Sequence, residues 1–361
     1  LSCTFSTPPE GLWKSAWGPR PITLLHTGAN TTYAFQFQQS DGDAALGHGV
    51  CIAGSGMGKT VLMEFLSCMA SQNKRLKHFF FDRHKGTYVY TTAMGGRYLA
   101  LNAPQYTMSI NSGMNPFLMP DTISNRSFLK LWLHALSGLP SDDEDAAYQC
   151  TRVVDTAYDT LPDEYRSLDK FFDTLFSPGT EIYKRLKPWI DPAGYGPIFN
   201  ANTDSLDVSE GWLTTFDMTN LMDDIKLAGP SISYIMHRIR QIIETERVPT
   251  FIFIDETEPM LADESFRRIY LQMLQEFRKL GAVVISVFQR VEALEANRIT
   301  QALTANSGAL YLFQNPSGQE KDYAHLNLTE REMNFVLSRS GDIRSSMTKG
   351  GGSNRKILIK R

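Results

Sequence analysis

Gly47 to Leu66 reads GHGVCIAGSGMGKTVLMEFL, a strand-forming run that passes into a glycine-rich loop and then into a helical pattern. This segment constrains the fold most, because a strand, a glycine loop ending in Lys-Thr and a helix, in that order, make a phosphate cradle. Gly54, Gly56 and Gly58 let the backbone curl, so that successive N–H groups converge at the positive end of the following helix. The pattern G-x-x-x-x-G-K-[ST] is met except at its first place, where Ala53 stands. Gly54 is expected to take over the opening turn with a positive φ, leaving the loop Gly54, Ser55, Gly56, Met57, Gly58, Lys59, Thr60 and Val61 complete. Lys59 would then reach the β- and γ-phosphates of ATP, and the Thr60 hydroxyl would hold Mg²⁺. In the helix, Val61, Leu62, Phe65, Leu66 and Met69 are expected on one apolar face.

Elsewhere, short runs rich in Val, Ile and Phe alternate with helical patterns, which predicts an α/β fold with a mainly parallel sheet. The expected strands are HGVCIAG, KHFFFD, RYLAL, TFIFID, GAVVISVF and ALYLF, with GWLTTFDMTNL returning the chain to the sheet and RKILIKR near its end. Between Asn125 and Trp189 the pattern is helical, and Ser141 with Glu144 reads as a capping box. Further on, Ile232, Ile235, Met236, Ile239 and Ile243 form the apolar stripe of a long helix. The expected organisation is a core over 1–124, an inserted helical subdomain over 125–205 and the second part of the core over 206–361.

TFIFIDE carries Asp255 and Glu256 to the carboxyl end of a strand, where ligands of parallel sheets bind. Asp255 would orient Mg²⁺ and its waters, and Glu256 would activate the water that attacks the γ-phosphate. GAVVISVFQR ends in Gln289, placed to sense the γ-phosphate. Arg278 and Lys279 close the helix before that strand, either as a cap on its C-terminus or as an arginine finger reaching a neighbouring subunit's phosphates. Asp82 and Arg83, after KHFFF, hold the matching position on another strand end. His134 and His237 are lone helical histidines expected to pack or cap, not to ligate.

Composition narrows the function. The 361 residues are 42% hydrophobic with a formal net charge of -3, which argues against a protein that coats nucleic acid through overall basicity. Arg344, Lys349, Arg355, Lys356, Lys360 and Arg361 cluster near the end with Asp342, and a solvated edge is the expected reading. Cys3, Cys51, Cys68 and Cys150 have neither disulfide nor metal spacing and read as reduced thiols of a cytosolic protein. No apolar run approaches the roughly 20 residues of a membrane helix. The chain starts at Leu1 without an initiator methionine and is expected to be part of a longer protein.

With these pieces in order, the sequence resembles the CagE/TrbE/VirB-type ATPases of bacterial type IV secretion and conjugation systems. The likeness runs from TGANTTYAFQF and GHGVCIAGSGMGKT through FFFDRHKG and MNPF to FIFIDE, FRKLGAVVISVFQ and LFQNPSGQEKDYAHLNLTEREMNFV. It implies a RecA-like P-loop fold with an all-helical subdomain, and ATP with Mg²⁺ as cofactors. It also implies work at the cytoplasmic face of the bacterial inner membrane, as a homo-oligomer beside a second ATPase and inner-membrane proteins, with DNA or protein as cargo. Matched motif to motif, Lys59, Thr60, Asp255, Glu256, Gln289 and the Arg278–Lys279 pair inherit the roles given above. The chain departs from the family pattern at Ala53, at Thr257 to Pro259 and at Phe288. Two other readings stay open: a DNA-translocating coupling protein or FtsK/HerA-like pump, and a nucleotide-gated docking platform with little hydrolysis of its own.

Overall fold

The described residues form eleven strands: β1 (Glu10–Gly11), β2 (Thr23–His26), β3 (Thr32–Phe35), β4 (His48–Ile52), β5 (Lys77–Asp82), β6 (Arg97–Ala100), β7 (Leu213–Asp217), β8 (Thr250–Ile254), β9 (Ala282–Phe288), β10 (Ser307–Phe313) and β11 (Ile357–Lys360). The computed structural model describes residues 10–27, 31–40, 46–73, 75–100, 113–204, 206, 208–261, 264–296, 299–338 and 357–360. The central sheet runs β11-β10-β4-β9-β8-β5-β7-β6, and only the β10–β11 pair is antiparallel. The α/β class and the mainly parallel sheet are therefore as expected.

The run of Phe and Ile in each central strand follows from burial on both faces. Phe79 and Phe81 of β5, with Ile252 and Ile254 of β8, belong to one hydrophobic cluster, while Phe80, Phe251 and Phe253 point into another. The period of two sorts them. At Gly49 a side chain has no room, since a Cβ there would lie 2.5 Å from the Tyr311 ring.

One face is covered by the helical run α3 (Ile123–Ser137), α4 (Glu144–Thr160), α5 (Leu168–Leu175), α6 (Glu181–Leu186) and α7 (Gly196–Phe199), which precedes β7. After β7 come α8 (Thr219–Asp223) and α9 (Ile225–Glu246), and the expected stripe Ile232, Ile235, Met236, Ile239 and Ile243 is wholly buried. Trp132 of α3 donates to the Pro230 carbonyl of α9 at 3.1 Å, and one continuous cluster joins these helices to Phe79 and Phe216 of the sheet. The capping box expected from Ser141 does not form: Asp143 is the N-cap, accepting from the Ala146 N–H at 2.9 Å. Its carboxylate sits directly before Glu144, where Ser141 is two residues too early.

The opposite face carries α1 (Lys59–Ala70) and the small sheet β1-β3-β2, which sequence reading missed because its strands are two to four residues long. Phe37, just past β3, stacks on Phe251 with centroids 4.8 Å apart, and Trp17 donates to the Gly281 carbonyl at 2.9 Å. On α1 the expected apolar face is rotated. Met63, Leu66, Ser67 and Ala70 are buried, whereas Val61 is 67% and Phe65 42% exposed.

Three buried histidines tie elements together. His48 Nδ1 accepts from the Val284 N–H at 3.0 Å, so its Nε2 carries the proton that bonds the Leu274 carbonyl at 2.7 Å. His78 meets the Ser67 hydroxyl at 2.6 Å, and His237 stacks on Phe128 and bonds Asn125 at 2.8 Å, the packing role expected of it. Burial holds His48 down at a pKa of about 4, and His78 and His237 at about 3. Because the unfolded chain binds protons to these groups near pH 6.5, stability is complete above that value. It falls as the pH drops through the window down to about 4 or 3, by about 3 kcal/mol for His48 and about 5 kcal/mol for each of His78 and His237. Urea midpoints should therefore decline from pH 7 to pH 5, and a constant midpoint would refute this.

Candidate active site

The seven mutually parallel strands of the central sheet end on the same side, and backbone bonds carry the order one residue past several of them. Ala53 N donates to Phe288 O at 3.0 Å, Asp255 N to Phe81 O at 3.0 Å, Thr257 N to Val287 O at 3.0 Å and Met218 N to Asp82 O at 2.8 Å. Residues that follow β4, β7 and β8 are thus fixed against the ends of β5 and β9 before any side chain is considered.

Ala53 is the last of these pinned residues and is 2% exposed, so it behaves as strand and needs no glycine. The positive φ angles fall on Gly56 (73°) and Gly58 (92°), not on Gly54 as expected, because the turn begins only after the pairing to β9 has ended. Gly58 is the N-cap of α1, and the loop residues Gly54, Ser55 and Gly56 that lead to it are exposed. Met57 folds back over Gly54, its N–H donating to the Gly54 carbonyl at 3.4 Å.

Lys59, the first residue of α1, places Nζ 3.2 Å from Asp255 Oδ1 and 3.4 Å from the Asp255 carbonyl. Asp255 is 7% exposed; burial raises its pKa and the Lys59 ammonium opposes that rise. Glu256 accepts from Arg83 on one carboxylate oxygen and from the Gln289 amide on the other. Thr60 lies beside the β5 end: a Cβ at Gly86 would be 3.7 Å from the Thr60 methyl and 3.3 Å from Asp82 Oδ1. Lys59, Thr60, Asp255, Glu256, Gln289, Asp82 and Arg83 are accordingly brought to one place.

Asp82 is fully buried; its Oδ2 accepts from Thr87 N at 3.1 Å and Tyr98 O–H at 2.9 Å, while Oδ1 has no hydrogen-bond partner among the described residues. A buried carboxylate oxygen left open beside Thr60, with Asp255 held near it, fits a hydrated divalent cation. The glycine cradle fits the phosphates that would accompany it. Glu64, four residues past Thr60 on α1, is pushed up to a pKa of about 7 by partial burial and by the charges of Asp82 and Asp255. Sequence reading missed Glu64, although its spacing from Thr60 puts it on the same side of the helix.

Arg278 and Lys279 are not part of this group. They end α11 (Glu264–Lys279) at the amino side of β9, where Arg278 acts on the charge of His48 at the start of β4. The seven residues of β9 separate them from Gln289, a span of about 23 Å. Val61, expected among the nucleotide contacts, points outward at 67% exposure. Of the basic cluster near the chain end, only Lys360 lies within the described residues, 3.1 Å from Glu332.

No family model matches the chain. The type IV secretion system protein VirB4 of Bartonella henselae is 29% identical over 361 residues, covering 98% of this chain and 44% of that protein. The chain therefore spans less than half the length of this curated relative. Among solved structures, VirB4 of Thermoanaerobacter pseudethanolicus superposes with a TM-score of 0.68 at 14% identity, over 91% of this chain and 92% of that one. Plasmid coupling protein TrwB in complex with ADP and Mg²⁺ follows with a TM-score of 0.50 at 17% identity, over 76% and 72% of the two chains. The fold is thus RecA-like, and the resemblance to the VirB-type family read from the motifs is borne out.

Proposed function

From this likeness to VirB4 proteins of type IV secretion systems, we infer that the chain is the ATP-hydrolysing motor part of such a protein, energising assembly of the apparatus and transfer of its cargo. The observation that carries the reading is the meeting of Lys59, Thr60, Asp255, Glu256 and Gln289 at one sheet edge, beside a glycine loop that opens α1. The backbone of Gly54 to Gly58 would hold the phosphates with Lys59. Thr60 and Asp255 would hold Mg²⁺, which neutralises charge on the phosphates when bound. Glu256 takes the proton of the attacking water, and Gln289 orients that water and Glu256 together. The products are ADP and phosphate.

Charge building on the transferred phosphate is met within the chain by Lys59; Arg278 and Lys279, at the far side of β9, could reach such a site only from another copy. The partners implied are further copies of this chain, a second ATPase and inner-membrane proteins of the secretion system. Peripheral association with the inner membrane belongs to the same reading; no helix among the described residues is long and apolar enough to cross a membrane.

Turnover measured against protein concentration tests this. Specific activity should rise with concentration, and Arg278→Ala with Lys279→Ala should flatten that rise while ATP binding persists. A flat, near-zero line in the parent chain would instead favour a docking platform, and salt-sensitive stimulation by DNA would favour a DNA pump.

A further inference from the structure

Arg83 has a place that neither the motifs nor the family likeness assigns. Its two terminal nitrogens hold two different carboxylates: one bonds Glu256, the other bonds Asp223 Oδ1 at 3.0 Å, and Nε has no hydrogen-bond partner among the described residues. Partial burial works against the guanidinium charge, and the bonds to Glu256 and Asp223 outweigh it, so its pKa is raised. With Gln289 on the remaining oxygen, both oxygens of Glu256 are engaged by donors. A water that is to give its proton to Glu256 has only the remaining lone pairs of these two oxygens to approach, unless one of the donors turns away.

Arg83 is the donor more easily turned away, because a second carboxylate already holds its other nitrogen. It also sits at the head of an unusual loop. His84 and Lys85 follow it with φ of 62° and 58°, a left-handed pair that non-glycine residues seldom adopt, and the His84 N–H is held by the Thr219 hydroxyl at 2.9 Å. Thr219 in turn donates to Asp217 at the end of β7. The loop is therefore clamped to the β7–α8 segment.

Asp223 ends α8, and the next residue, Asp224, caps α9 and accepts from the Tyr195 hydroxyl at 2.9 Å. Adjacent carboxylates thus face opposite ways: Asp223 toward the site through Arg83, Asp224 toward the helical run. The α9 helix that begins there carries α3, through Trp132 on Pro230 and Asn125 on His237.

We propose that Arg83 is a positioning residue acting as a latch: it holds Glu256 at rest, and Glu256 is freed when Arg83 turns onto Asp223 alone, which couples turnover to the α8–α9 junction that seats the helical run. This rests on the reading of Glu256 as the group that activates water. Two states that share one arginine and differ in its partner are the physical element such coupling needs.

The test is the sign of three variants of the whole chain in steady-state and single-turnover ATP hydrolysis. Arg83→Gln should raise the basal kcat, and Asp223→Asn, which leaves Arg83 on Glu256, should lower it, each by roughly five-fold for a partly buried ion pair. The double variant should behave like Arg83→Gln alone. A fall in kcat for Arg83→Gln, or additive falls for both, would overturn the latch and make Arg83 a structural support. Should Arg83→Gln fail to fold, Arg83→Lys carries the test, with a smaller rise expected and a fall counting against it. Glu256→Gln is assayed alongside: if it is inactive while the Arg83 and Asp223 variants match the parent, only the latch fails. If Glu256→Gln hydrolyses ATP as the parent does, the role of Glu256 fails and the latch with it.

Discussion

Glu256→Gln is expected to bind ATP as the parent chain does and to hydrolyse it at least about a hundredfold more slowly, the usual contribution of a positioned general base. The substitution keeps the shape of the side chain and one oxygen, so the residue still fits between Arg83 and Gln289. It leaves untouched the Lys59–Asp255 pair at 3.2 Å and the glycine loop, which are the groups that would meet the nucleotide. The loss should therefore fall on kcat with the binding constant preserved, the signature of an interaction made only in the transition state. Fluorescent-nucleotide titration beside phosphate release separates the two quantities. Hydrolysis within threefold of the parent would remove Glu256 from the chemistry and turn attention to Asp82, a fully buried carboxylate at the same strand ends.

What could be read in advance depended on how local the cause was. The strands β5, β8 and β9 were legible because each holds a run of Val, Ile and Phe buried on both faces, and β4 because its HGVCI leads straight into the glycine loop. Lys59, Asp255, Glu256 and Gln289 were legible because each stands at a strand end or loop end that the parallel topology gathers on one side. The misreadings share a cause as well. Gly54 was assigned the turn by its place in the motif, but the tie from Ala53 to Phe288, a residue more than two hundred positions away, decides where the strand ends. The face of α1 was assigned from hydrophobicity, yet Ser67 is buried with His78 and Tyr90 as partners while Val61 and Phe65 stay outside. Asp223 carries no local signal at all. Its part in the site comes from Arg83, 140 positions earlier, and only the fold brings the two to 3.0 Å.

Lys59→Ala should cost more than a phosphate contact, because Lys59 also keeps Asp255 in order. Asp255 is 7% exposed and burial already raises its pKa, with the Lys59 ammonium acting against that rise. Without Lys59 the carboxylate is driven further toward its protonated form, and a protonated Asp255 is a poor partner for Mg²⁺ and its waters. ATP affinity should fall at least about tenfold, and turnover by about a thousandfold, as when a preorganised cationic donor is removed from a developing charge. The same substitution leaves a buried carboxylate without its cation, so the ligand-free chain should lose about 1–3 kcal/mol of stability. Since a raised Asp pKa destabilises as the pH climbs, that loss should grow from acid toward neutral pH. Lys59→Ala combined with Asp255→Asn separates the two effects. The pair should recover most of the stability in urea melts, because the unpaired charge is gone, and none of the turnover, because both the phosphate cation and the metal-orienting carboxylate are missing. Recovery of hydrolysis in the double variant would mean that Lys59 serves only to neutralise Asp255, and that phosphate charge is met elsewhere.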